Sequence, residues 1–108
     1  MPSYLVQVSY TSTAITAMIQ SPQNRAEAIR IPVEKLGGKV VSFWLSFGDY
    51  DVVGVVEMPD NVSAAAFALA ISAGGSCKSV KTTPLLSIED AMTAMKMAGS
   101  SGYKPASA

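Results

Sequence analysis

A chain of 108 residues with eight basic and eight acidic side chains suits one domain of zero net charge, and burying about 65% of its extended surface requires no metal or disulfide staple. Its Lys and Arg residues are scattered singly, which excludes the basic stripe of a nucleic-acid binder. With no His and one Cys, the chain lacks Ser-His and Cys-His nucleophile pairs, the usual zinc and non-haem iron sites, and any intrachain disulfide.

No basic-then-apolar signal opens the sequence, and no apolar run approaches the length of a membrane span. A cytoplasmic protein without membrane contact is expected, and the lone Cys77 suits a reducing compartment. Hydrophobic residues make up 49% of the chain, much of it alanine. That share either leaves apolar surface for a partner or simply makes an alanine-rich pair of helices.

Tyr4–Tyr10 alternates as a half-buried strand, with Tyr4, Val6, Val8 and Tyr10 opposed to Leu5, Gln7 and Ser9. Thr11-Ser12-Thr13 offers capping hydroxyls for a short helix carrying Ile15, Met18 and Ile19. Ser21-Pro22 reads as a second helix start, with Ala26, Ile29, Val33 and Leu36 at helical spacing and Gly37-Gly38 as the stop. Pro32 lies inside this segment and removes a donor, so a bend between Ala28 and Pro32, or two shorter helices, is expected.

Lys39–Phe47 and Val52–Met58 read as a hairpin joined at Gly48-Asp49-Tyr50-Asp51. Matching apolar faces sets the register Phe47–Val52, Leu45–Gly54, Phe43–Val56 and Val41–Met58, since a slip by one residue would turn the apolar set outward. Pro59-Asp60-Asn61 is a turn and cap for a helix over Ser63–Gly74 with Phe67, Leu69 and Ile71, so apolar all round that it packs on more than one side. Cys77–Pro84 is a fourth strand, and Lys78 and Lys81 would discourage stray pairing at its edge. Ser87 caps a last helix whose Ile88, Met92, Met95 and Ala98 form one stripe, the methionines read as core filler. Residues 1–98 form the single domain, and 99–108, rich in Gly, Ser, Ala and Pro, a flexible tail.

Strand–helix–strand–strand–helix–strand is the split βαββαβ, ferredoxin-like order of the α+β class. It predicts a four-stranded antiparallel sheet in the order 4-1-3-2, with helices on one face and an added C-terminal helix. The other face then carries Leu5, Gln7, Ser9, Val40, Ser42, Trp44, Ser46, Val53, Val55, Glu57, Ser79, Lys81 and Thr83. Left bare, Trp44 beside Val53 and Val55 would form an apolar patch of roughly 300–500 Å². A second copy, sheet against sheet about a two-fold axis, is its simplest cover.

The hairpin Phe47-Gly48-Asp49-Tyr50-Asp51-Val52-Val53 resembles the signature of the GYD-domain proteins, small bacterial domains with Gly-[Asp/Glu]-Tyr-Asp at this site. The resemblance extends over most of residues 2–90 and includes the opening Met-Pro-x-Tyr, Ser21-Pro22, Leu36-Gly37-Gly38-Lys39, Glu57-Met58-Pro59-Asp60 and Thr82-Thr83. It implies a ferredoxin-like relative of the dimeric α/β barrels, and a fold rather than a reaction, because the family has no established biochemical activity. Arg30-Ile31-Pro32 departs from the uninterrupted helix that the family implies.

The tetrapeptide has two readings. In one, Gly48 takes a positive φ, the Asp49 carboxylate caps the turn and Tyr50 packs as a lid. In the other, the Tyr50 hydroxyl and the Asp49 and Asp51 carboxylates sit at a cleft mouth as acid–base or ligand-orienting groups. Two carboxylates fall short of a calcium loop, so no metal is expected, and no cofactor either. Glu57, about 20 Å from Asp51 at strand rise, cannot share its substrate within one chain; Glu57 and Lys81 fall closer to one sheet end.

Three functions fit these residues. The first is a homo-oligomeric module whose intersheet cleft holds a small apolar or aromatic ligand against Trp44, with Gln7, Asp49, Tyr50, Asp51, Glu57 and Lys81 as further candidate binding residues. The second is a cofactor-independent enzyme of the dimeric-barrel type, oxygenase- or isomerase-like, with Tyr50, Asp51 and Glu57 as acid–base groups. The third is a structural or regulatory subunit without a ligand.

Overall fold

The computed structural model describes residues 1–106, in the order β1 (Ser3–Tyr10), α1 (Ser12–Gln20), α2 (Arg25–Lys35), β2 (Lys39–Leu45), β3 (Val52–Glu57), α3 (Asn61–Ala73), β4 (Cys77–Leu85) and α4 (Ile88–Gly99). The four strands are antiparallel in the order β2-β3-β1-β4, the anticipated order read from its other edge. Pro84 is accommodated because β4 is an edge strand, where a missing N–H costs no ladder bond. Among the described residues no helix is long and apolar enough to cross a membrane.

Alternation in β1 is complete: Tyr4, Val6, Val8 and Tyr10 are buried and the residues between them half-buried. Val52 and Val56 of β3 continue that inner face, and Val33 of α2 with Ala64 and Phe67 of α3 close over it. Ala14, Ile15 and Met18 of α1 pack against the same cluster, so three helices cover one face and leave the other open. The buried Tyr4 hydroxyl is not orphaned; it donates to Asn61 Oδ1 at 2.6 Å.

Each helix begins at a short polar side chain that satisfies one of its first amides. Thr11 accepts from Ala14 N, Asn24 from Glu27 N, Asp60 from Ser63 N and Ser87 from Asp90 N. The second helix therefore starts one turn later than Ser21-Pro22 suggested, because Asn24 with Glu27 three residues on is the stronger N-terminal pair. It also runs through Pro32 as a single helix rather than two. Only the Ala28 carbonyl loses its donor, and Leu36 N still donates to Pro32 O at 3.1 Å. On its exposed side Arg30 bridges Glu27 and Glu34, each at 2.9 Å, across the proline turn.

The hairpin departs from the expected register in two ways. Leu45 pairs with Val52, Trp44 with Val53, Phe43 with Gly54 and Ser42 with Val55, a slip of two positions that preserves the faces. Ser46 N donates to Asp51 O at 2.8 Å, so the loop is Phe47–Tyr50, and Phe47 leaves the core face to stand 97% exposed. Gly54 decides this register. A Cβ there would lie 2.7 Å from Ser42 O and 2.9 Å from the Phe43 ring, so only a glycine lets Phe43 lie across β3.

Val41 is then the extra residue of a β-bulge between Val40 and Ser42. Beyond the bulge the faces exchange: Val40 pairs with Val56 and packs on the core, whereas Val41 is exposed.

None of the residues of α4 is buried, and the helix has no extensive contact with another element among the described residues. The Ile88, Met92 and Met95 stripe lies open, so within one chain these methionines are not core filler. A radius of gyration of 17.3 Å, against about 13 Å for a compact domain of 100 residues, reflects that outlying helix. Gly99 belongs to α4, and residues 107 and 108 of the anticipated tail lie outside the described residues.

Candidate functional site

Four of the anticipated binding residues, Gln7, Trp44, Glu57 and Lys81, share the open face, and the strand registers align three of them. Trp44 pairs with Val53, Val53 with Gln7 and Gln7 with Lys81, one row across all four strands. The next row is Ser42, Val55, Leu5 and Thr83. Trp44, at the edge of the first row, is 67% exposed.

Where this face meets the β2–β3 loop there is an open depression of about 350 Å³, lined by Gln7, Ser46, Phe47, Gly48, Asp49, Tyr50 and Val53. It brings together Gln7, Asp49 and Tyr50 of the candidates, one strand from Trp44. Main-chain oxygens hold the loop: Ser46 Oγ donates to Tyr50 O at 2.7 Å and Ser9 Oγ to Asp49 O at 3.1 Å. Gly48 does not adopt a positive φ, and nothing lies within 4 Å of where its Cβ would be. Nor is the Asp49 carboxylate among the hydrogen-bonded acceptors of the loop. The loop reading that rests on a left-handed glycine and an aspartate cap is therefore replaced by one built on Ser9 and Ser46.

Asp51 is turned elsewhere. Its Oδ2 accepts from Tyr10 N at 2.7 Å, and its own N–H donates to Val8 O at 2.9 Å, so it ties the hairpin to β1. Glu57 pairs with Ser3 and Lys39 at the far end of the sheet, in a different row from Lys81. It is thus remote from Asp51 as expected, but it is also about 16 Å from Lys81 by strand rise and spacing, and within one chain the two cannot pair. Tyr50, Asp51 and Glu57 do not converge on one point. Phe47, which also lines the depression, escaped notice because the expected register placed it on the core face of the strand, whereas Ser46 lies on the open face as anticipated.

The model of the GYD domain matches residues 4–95. The chain belongs to the GYD domain family. Its tetrapeptide is the segment that carries Asp49 and Tyr50 to the rim of the depression and fastens Asp51 to β1. A search of curated proteins finds no match for this GYD domain. Among solved structures, that of FFRP-DM1 is similar with a TM-score of 0.51 at 12% identity, over 80% of this chain and 100% of that one. An AsnC family transcriptional regulator from Agrobacterium tumefaciens gives 0.54 at 18% identity, over 80% of this chain and 50% of the regulator. At such identities the likeness is one of fold, and the match spans half the regulator's length.

Proposed function

We propose that this GYD domain is a homo-oligomeric small-molecule binding or interaction module, ferredoxin-like in topology. A second copy covers its open sheet face, and the depression beside Phe47–Tyr50 is the seat for a small apolar or aromatic ligand. The observation that carries the reading is the exposed Trp44 standing in register with Val53, beside Val55 and Leu5, on a face that no helix covers. An uncovered helix stripe at Ile88, Met92 and Met95 adds to the apolar surface that one chain leaves in water.

A two-fold axis suits the charges of this face. Leu5 lies midway between Lys81 and Glu57, and the line through Leu5 at right angles to their vector runs between Val53 and Val55 towards Trp44. Rotation about that line seats Lys81 over Glu57 of the partner subunit and the reverse, while the apolar diagonal meets itself. Two charges without an ion-pair partner among the described residues thereby become two equivalent ion pairs at the rim of an apolar interface, the usual distribution in protein contacts.

The enzymatic reading has less support, since Asp51 is engaged by Tyr10 N and Glu57 lies at the other end of the sheet. Sedimentation velocity, with Trp44 emission recorded on the same samples, tests the proposal. Paired chains with blue-shifted emission that aromatic acids quench are expected. Single chains with a water-exposed Trp44 would remove both the interface and the seat.

A further inference from the structure

A second cavity, of about 160 Å³, lies on the opposite side of the sheet, between α2, α3 and the inner strands. Its walls are mostly apolar, formed chiefly by Val6, Val8, Ile29, Phe43, Phe67 and Ile71, and Arg25 and Cys77 are also in its lining. Arg25 opens α2 and precedes Ile29 by four residues and Val33 by eight, which sets a guanidinium on the buried stripe of the helix. That spacing was the signal in the sequence. It is easily passed over, because an arginine at a helix start ordinarily faces water.

The Arg25 Nε is closed off from solvent and has no hydrogen-bond partner, and Nη1 donates only to the neutral Gln23 Oε1 at 2.8 Å. Among the described residues no carboxylate lies within ion-pair distance of it; the ion pairs are those of Arg30. Cys77 does not supply the missing anion. Burial pushes its thiol up, more than the neighbouring Arg25 pulls it down, so the sulfur stays protonated at neutral pH. The Nη1 side of the guanidinium reaches the surface at Gln23, but its shielded, unpaired Nε–H costs free energy unless an acceptor joins it, and a planar guanidinium favours a carboxylate. Cavities of about 150 Å³ lined by aliphatic and aromatic groups accept a benzene ring.

We propose that this inner cavity binds a small apolar monocarboxylate, its ring or chain between Phe43 and Phe67 and its carboxylate on the Arg25 guanidinium. The cavity lies within one chain, so this binding is independent of self-association and of the seat beside Phe47–Tyr50.

Titration of the full chain with benzoate, hexanoate and the neutral benzyl alcohol, followed by amide chemical shifts, tests it. Saturable binding of the carboxylates is expected, with shifts centred on Ile29, Phe67 and Cys77 and at least tenfold preference for benzoate over benzyl alcohol. Arg25→Met, which keeps the apolar stem, should lose that preference while binding benzyl alcohol as before. Absence of saturable carboxylate binding, shifts centred instead on Gln7 and Tyr50, or equal affinity for benzoate and benzyl alcohol would each overturn the proposal. The last comparison is made on the unaltered chain and so stands even where Arg25→Met fails to fold.

Discussion

Asp51 Oδ2 accepts a 2.7 Å hydrogen bond from the backbone N–H of Tyr10, at the point where the β1–β4 pairing shifts register between Ser9 and Tyr10. One aspartate thus satisfies an amide at an irregularity in one strand pair while its own backbone continues the other. Asp51→Ala should cost about 1–3 kcal/mol of stability, the range for leaving a buried or partly buried donor without its charged acceptor. Asp51→Asn retains a side-chain oxygen and should cost less. Urea unfolding checks both; equal stability of all three chains would mean that the bond contributes nothing.

Two glycines of the hairpin should behave oppositely. Gly54→Ala places a Cβ against Ser42 O and the Phe43 ring, and should destabilise by about 1–3 kcal/mol. Gly48→Ala meets only open space at an ordinary backbone conformation and should stay within about 0.5 kcal/mol. Thermal unfolding of the pair distinguishes them. A larger loss at Gly48 would mean that the loop is packed against something in solution.

The two-fold arrangement predicts charge complementation. Glu57→Lys and Lys81→Glu should each raise the dissociation constant of the pair of chains severalfold, and the double variant should restore it, because like charges facing one another are replaced by opposite ones. Dilution series in the ultracentrifuge read this out. Two single effects that simply add in the double variant would exclude the proposed axis.

Asp60 predicts a pH dependence. The backbone N–H of Ser63, donating at 2.8 Å, and then the Ser63 hydroxyl hold its carboxyl below the ordinary value of 3.8. A carboxyl depressed in the folded chain stabilises it fully above the unfolded value, and that contribution fades as pH falls through the lower folded value. The stability advantage of the natural chain over Asp60→Asn should therefore be present at pH 6 and shrink below pH 3.8. Urea unfolding at both pH values decides; an advantage that grows on acidification would reverse the assignment.

Phe67→Ala should cost about 3–5 kcal/mol, since the residue is buried in the core cluster under α3 and removing its ring enlarges the void there. Calorimetric unfolding measures this directly. A cost near that of a surface substitution would place α3 off the sheet.

The existence of all four strands, the alternation of Tyr4, Val6, Val8 and Tyr10 and the open face bearing Trp44 were legible in the sequence, because each depends on a period of two that one strand carries by itself; the strand order was legible from the succession of strands and helices. The caps at Thr11, Asp60 and Ser87 were legible for a similar reason, since an N-cap is a contact over three residues. Register was not legible, because matching apolar faces cannot tell a slip of two from none; the contact of Phe43 with Gly54 across the sheet made that choice and moved Phe47 into the loop. Nor did any local pattern reveal the bulge at Val41, the capture of Asp51 by Tyr10 or the approach of Cys77 to Arg25, although the helical spacing of Arg25 with Ile29 and Val33 did mark its side of α2. Each of these joins residues far apart in the chain, and a bond between distant groups is decided only when the fold brings them within reach.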